Sequence, residues 1–263
     1  MLETARYEVE GRLRGSVVLS VGIALLGAFY VAMWPSFADV DLDQFLEAWP
    51  PALRELFGVE SLASIEGFLA TELYQFVWVL LLGLYVAYSA AGLIAGDVER
   101  HRMDLLLSLP VTRTRLLFEK FASLLAPILL ANVVVPVVVL GSVLAIGETI
   151  DVPALVAVHV LSVPYLLACG AIGLVLSVVF DRADVANRLA LGVVFGLFLV
   201  RSVTAVADGY EWIGRLSPTA YYDPTEILVH NEYDLVGAGV LLAATAVLLL
   251  VARWQFRRTD LDG

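Results

Sequence analysis

Lysine is almost missing from this chain: Lys120 stands alone beside fifteen arginines. A phosphate-binding loop of the form G-x-x-x-x-G-K-[ST] needs a lysine directly after glycine, whereas Lys120 follows Glu119. That excludes a nucleotide site of this type in the chain itself. A single cysteine, Cys169, permits neither an intrachain disulfide nor a multi-cysteine metal site. No two of the three histidines, His101, His159 and His230, lie at helical spacing from each other, and no metal site is expected. Charge of either sign is scarce as well. Only 16% of the 263 residues are charged while 60% are apolar, where a soluble domain carries about a quarter charged. Too little polar surface remains to wrap a globule in water, and the chain reads as a bilayer protein.

What is present is a series of long apolar stretches between charges. Six emerge: 15–38, 73–96, 121–147, 152–180, 189–207 and 235–252. Each is long enough to cross about 30 Å of hydrocarbon as a helix. The fifth is interrupted only by Arg201, which lies seven positions before Asp208 and can snorkel toward that face. The first stretch, although Ser36 and Ala38 resemble a cleavage site, exceeds the apolar core of a signal peptide and lacks a strongly basic leader. It reads as a retained span.

Basic residues set the orientation. Thirteen lie on one side, in the first fourteen residues, the 97–120 connection, the 181–188 connection and the tail; two, Arg54 and Arg215, lie on the other. The positive-inside rule puts both termini in the cytoplasm. Acids are biased the opposite way, with sixteen in the outer connections. The net charge of −11 thus resolves into an outer face of −14, a cytoplasmic face of +2 and Arg201. An acid-rich, lysine-poor exposed surface resembles that of salt-loving archaeal proteins, and a halophilic source is the expectation.

No aspartate, glutamate or lysine falls inside the six stretches, which argues against ion-coupled secondary transport. Nor do they hold a catalytic constellation, so no enzymatic activity of its own is expected. His159, about 12 Å into the fourth stretch by helical rise, reads as a packing histidine. Together with Arg201 it is the polar residue available to a pathway. Cys169 reads as a small buried apolar residue.

The 97–120 connection concentrates charge beside apolar residues: DVERHRMDLLLSLPVTRTRLLFEK. Val98, Arg102, Leu105 and Leu109 recur at helical spacing, Pro110 ends that turn, and Thr112 or Thr114 can cap the helix leading into the third span. The first fourteen residues repeat the design, with Leu2, Ala5, Val9 and Leu13 on one face, and predict an amphipathic helix lying on the membrane.

This connection resembles the signature of type-2 ABC transporter permeases, an acidic segment leading into a leucine-rich stretch, then Leu-Pro-Val, a hydroxyl residue, arginine and lysine. The match takes in Asp97, Glu99, Asp104, Leu105 to Leu107, Ser108 to Val111, Thr112, Arg113 and Lys120. Where that family commonly has Gly-Thr before the leucines, this chain has His101 and Arg102. The ending from Phe256 to Leu261 is similar to the basic tails of such permeases. The resemblance implies an all-α polytopic permease with six transmembrane helices, cytoplasmic termini and an interfacial N-terminal helix, forming one domain over residues 1–263. It implies that 97–120 is the coupling loop resting on a separate ATP-binding subunit, which carries ATP and magnesium, with no cofactor bound by this chain. Asp97, Glu99, Arg100, Asp104, Pro110, Arg113, Arg115 and Lys120 are then the coupling residues.

Two copies, or one copy and a paralogue, would form the pathway. Gly192 and Gly196, in a G-x-x-x-G pair, are the expected dimer seam; Gly92 and Gly96 form a second such pair. Similar exporters have short re-entrant helices between spans 5 and 6, where Trp212, Tyr221, Tyr222 and two prolines cluster. Pro127, Pro136 and Pro164 are positioned to kink spans 3 and 4. The leading expectation is a multi-pass cell-membrane exporter subunit with lipid and ATPase partners and no nucleic acid. A copper-enzyme maturation permease of the same layout is the alternative, and an ion-coupled transporter a third.

Overall fold

A computed structural model describes residues 3–37, 48–50, 64–103, 112–204 and 209–258. The described residues form helices and turns, with no strand among them. Six helices are long and apolar enough to cross a membrane. They are α1 (Glu3–Met33), α2 (Ile65–Glu99), α3 (Arg113–Ala145), α4 (Val152–Val179), α5 (Ala183–Thr204) and α8 (Leu235–Arg258). Between α5 and α8 lie two short helices, α6 (Glu211–Gly214) and α7 (Pro224–Leu228), with a 3-10 turn over Pro218–Tyr221. All six expected spans are present, and most of their helices overrun the apolar stretches. Backbone bonding does not stop where the hydrocarbon stops, so α2 takes in Glu72 at one end and α3 takes in Glu119 and Lys120. The N-terminal segment and the first span form one unbroken helix, α1.

Helices α2 and α4 form the centre. Their most apolar windows are 61% and 67% buried, against 22–33% in the other four spans. Hydrophobicity gives helices no reason to associate inside lipid, so close packing and interhelical hydrogen bonds must hold such a centre. Both are visible. A Cβ on Gly173 would lie 2.1 Å from the carbonyl oxygen of Ala87, so the two backbones nearly touch there. One helical turn along, the hydroxyl of Ser177 accepts from the backbone N–H groups of Ile94 and Ala95 at 2.9 and 3.1 Å. The G-x-x-x-G glycines singled out from the sequence contribute little to this seam: a Cβ on Gly92 would only touch Asn187, and Gly96 faces open space.

Around this pair, α1 lies along α3, α5 along α2, and α8 along α4. Outward faces carry Val18, Leu25, Val133, Val137, Val160, Val203 and Val247, all exposed. Water would not tolerate so continuous an apolar surface, and lipid covers it at no cost.

Over Ala70–Leu82, α2 is wound as a π-helix before returning to α-helix at Gly83. Winding back from i→i+5 to i→i+4 bonding leaves one carbonyl over. Near that junction the Tyr165 hydroxyl of α4 donates to the Val79 carbonyl at 2.8 Å. Of the three prolines, Pro127 coincides with a break: α3 is interrupted at Ser123 and Leu124, four residues before a ring that removes the N–H needed there. Pro136 and Pro164 sit inside helices that continue past them.

Candidate functional site

The end of the bundle where α1 begins and α8 ends gathers most of the residues expected to couple. Asp97, in the last turn of α2, and Lys120, in the first segment of α3, form an ion pair at 2.6 Å, with side chains 13% and 2% exposed. The sole lysine is therefore held inside the protein, closing the base of the 97–120 connection. Glu119 is buried beside it and accepts from Arg115 at 2.6 Å. The Glu99 carboxylate accepts from the backbone N–H of Ala183 at 2.8 Å, tying the end of α2 to the start of α5. Arg113 donates to the Phe256 carbonyl of α8 at 3.4 Å. Thr112 caps α3, its hydroxyl accepting from the Arg115 N–H at 3.3 Å. Asp97, Glu99, Arg113 and Lys120 thus bind the connection to four spans. Arg100, His101 and Arg102 are the exposed residues at its root. Asp104 and Pro110, with the helical turn expected around Leu105 and Leu109, lie outside the described residues.

The chain bends at His101, where α2 ends. His101 has φ +53°, the left-handed conformation that glycine adopts most cheaply. Its N–H donates to Val98 O at 3.0 Å, and the Arg102 N–H reaches back to Asp97 O at 2.8 Å. These two bonds make a Schellman ending. The same pair of bonds ends α3, where Gly147 at φ +82° takes the left-handed position. A histidine therefore does at one end of the bundle what a glycine does at the other.

At the opposite end, the segment between α5 and α8 turns back into the bundle. The Tyr222 hydroxyl donates to Val158 O at 2.8 Å. Val158 lies seven residues beyond the α4 cap, Asp151, or about 10 Å along the helix. The Tyr222 ring stacks on Tyr165 at 5.5 Å. Ile227 and Leu228 of α7 are buried in the same core. The resemblance implies short helices in this segment, and α6 and α7 are such helices.

The two residues proposed for a pathway have different surroundings. Arg201 borders a recess of about 490 Å³ at that end, with Tyr221, Asp223, Glu226, Glu232 and Asp234. His159 is buried, its Nδ1 2.8 Å from the Leu155 carbonyl, and its ring meets Trp78 edge-on at 4.8 Å and Tyr74 at 5.3 Å. Gly192 and Gly196 have nothing within 4 Å of where a Cβ would stand, on a face of α5 that also exposes Leu189, Val193 and Leu199. Cys169 is fully buried. No group of three metal-ligating side chains occurs among the described residues.

Residues 3–261 match the family described as ABC-2 family transporter protein. The chain belongs to that family. No curated protein matches it. Membership makes this ABC-2 chain a multi-pass membrane component of an ABC transporter and implies an ATP-binding subunit as partner. Sequence reasoning placed Tyr222 in an aromatic cluster but missed Ser177, Tyr165 and Gly173. The spacing of Gly170 and Gly173 on one α4 face was the available signal for the last.

Proposed function

We propose that this ABC-2 chain is the membrane-spanning subunit of an exporter, driven by a separate ATP-binding subunit docking at the 97–120 connection. The observation that carries this reading is the anchoring of that connection. The Asp97–Lys120 pair closes its base, Glu99 joins it to α5 and Arg113 joins it to α8. A displacement applied there is passed to α2, α3, α5 and α8 together, as rocking between two states requires. The exposed Arg100, His101 and Arg102 lie at the point where the push would arrive, and the thirteen-to-two bias of basic residues assigns that end to the cytoplasm.

ATP and magnesium belong to the partner in this reading, because the chain's lysine is committed to Asp97 and no P-loop surrounds it. The chain itself performs no chemistry. Two permease chains meet along the open α5 face at Gly192 and Gly196, where two backbones can approach closely. Localisation in the cell membrane follows from this role.

Co-expression with a candidate ATP-binding subunit tests the docking. Arg100→Glu with Arg102→Glu should cut co-purification at least ~10-fold, the loss of about 1.4 kcal/mol of contact, without changing the thermal midpoint of the permease. Arg182→Glu serves as the control, since Arg182 lies at the same end and pairs with Asp184 at 3.1 Å. Undiminished co-purification of the double variant contradicts the assignment.

A further inference from the structure

Helix α2 meets α4 in two different ways along its length. From Gly83 to Glu99 it is α-helical and runs backbone to backbone with α4, held at Gly173 and by the Ser177 hydroxyl. From Ala70 to Leu82 it is π-helical, and its backbone stands off from α4. Side chains span the gap, Tyr74 and Trp78 meeting the His159 ring edge-on at 5.3 and 4.8 Å. The π conformation occurs mostly as a single turn, and frequently at functional sites. A hydrogen bond from α4 secures this half where it joins the other, the Tyr165 hydroxyl donating to the Val79 carbonyl. That hydroxyl lies 2.7 Å from where a Cβ on Gly83 would stand, so the bare backbone at Gly83 lets it reach in.

The side chains that span the gap carry polar atoms without partners. His159 Nδ1 lies 2.8 Å from the Leu155 carbonyl, which can only accept, so Nδ1 bears the proton and Nε2 of the neutral ring is an acceptor. Among the described residues nothing bonds that Nε2, the Tyr74 hydroxyl or the Trp78 Nε1–H. The three residues are 2%, 0% and 0% exposed. An acceptor and two donors are therefore shut away on touching rings, and each costs more unpaired than its bond would gain. Folded proteins seldom leave such a group unbonded; three together favour a second arrangement in which water satisfies them. Water has the matching set, a hydrogen for Nε2 and lone pairs for the hydroxyl and the indole. We propose that the π-helical half of α2 is a gate that swings about Gly83, admitting water to His159, Tyr74 and Trp78 while the α-helical half stays on α4. That contact with water accounts for an ionisable residue deep in a span. The gate belongs to the permease and is independent of which subunit drives it.

Hydrogen exchange tests the gate on the permease alone in lipid nanodiscs, because an amide in the bilayer exchanges only when local opening brings water to it. Residues 74–82 should exchange faster than residues 83–92 of the same helix. Tyr165→Phe removes the bond that secures the π-helical half, and should speed exchange over 74–82 by about fivefold, the shift that one lost hydrogen bond represents. Exchange over 83–92 should stay as it was. Tyr74→Phe keeps the ring and removes only an unpartnered hydroxyl, so it should slow exchange over 74–82 and raise the thermal midpoint. That sign is the reverse of what loss of a bonded tyrosine hydroxyl produces, and a merely structural role for Tyr74 would not yield it. Equal exchange along 74–92 in the wild-type protein overturns the proposal. So does a Tyr165→Phe variant in which both halves of α2 speed up alike or neither does, or a Tyr74→Phe variant that exchanges as fast as the wild type or faster.

Discussion

Lys120→Met would leave the Asp97 carboxylate inside the bundle without its ammonium partner. Breaking a buried pair from one side is far costlier than never having made it. The single variant should lose about 3 kcal/mol, read as a fall in thermal midpoint in detergent. Lys120→Met combined with Asp97→Leu should recover most of that loss; a double variant as unstable as the single one would show that the pair is not what holds α2 to α3. His101 makes the complementary case, a backbone position whose side chain is incidental. Its φ of +53° suits glycine, so His101→Gly should raise stability by about 1 kcal/mol and His101→Val should lower it. The measurement is the same thermal midpoint, and a destabilised glycine variant would mean that the imidazole itself is needed. The histidine found here meets a single backbone requirement, a left-handed residue closing α2.

Six spans were legible in the sequence because uncharged length alone decides whether a helix can cross a bilayer, and α4 ends within one residue of its apolar stretch. The Thr112 cap and the break before Pro127 were legible for equally local reasons: a hydroxyl at a helix start and a missing N–H. What was not legible depends on partners distant in the chain. Nothing in Ala70–Leu82 marks a π-helix; its register is stabilised by Tyr165, 86 positions from the carbonyl it satisfies. The small-residue pairs at Gly92 and Gly192 match a pattern, yet the tight seam of the described chain is at Gly173. Adding a methyl there drives a carbon into the backbone of Ala87, and backbone cannot rotate aside. Gly173→Ala should therefore cost about 2 kcal/mol, while Gly192→Ala should leave the isolated chain's thermal midpoint unchanged. Equal effects at the two glycines would contradict a centre built on α2 and α4.

Across the whole molecule, charge and connectivity divide the labour between the two ends. The acidic end folds its last connection back onto the core through Tyr222 and Tyr165. The basic end binds its longest connection to four spans and leaves Arg100 to Arg102 exposed. The resemblance implied Lys120 and Glu99 as coupling residues. Their pairing with Asp97 and with the Ala183 N–H could not be read from spacing, since each partner lies on a different helix. In the proposed reading the same pairings fix the two ends of the connection to the spans and carry the push of an ATP-binding subunit into them, which is the central claim. One measurement tests it most directly. Cys169 is the chain's sole cysteine and is fully buried, so a single introduced cysteine is a unique reporter. With a short bifunctional crosslinker, Arg102→Cys should join the ATP-binding subunit in ATP-dependent yield, whereas Trp212→Cys at the opposite end should not. Crosslinking from Trp212→Cys with none from Arg102→Cys would contradict the account.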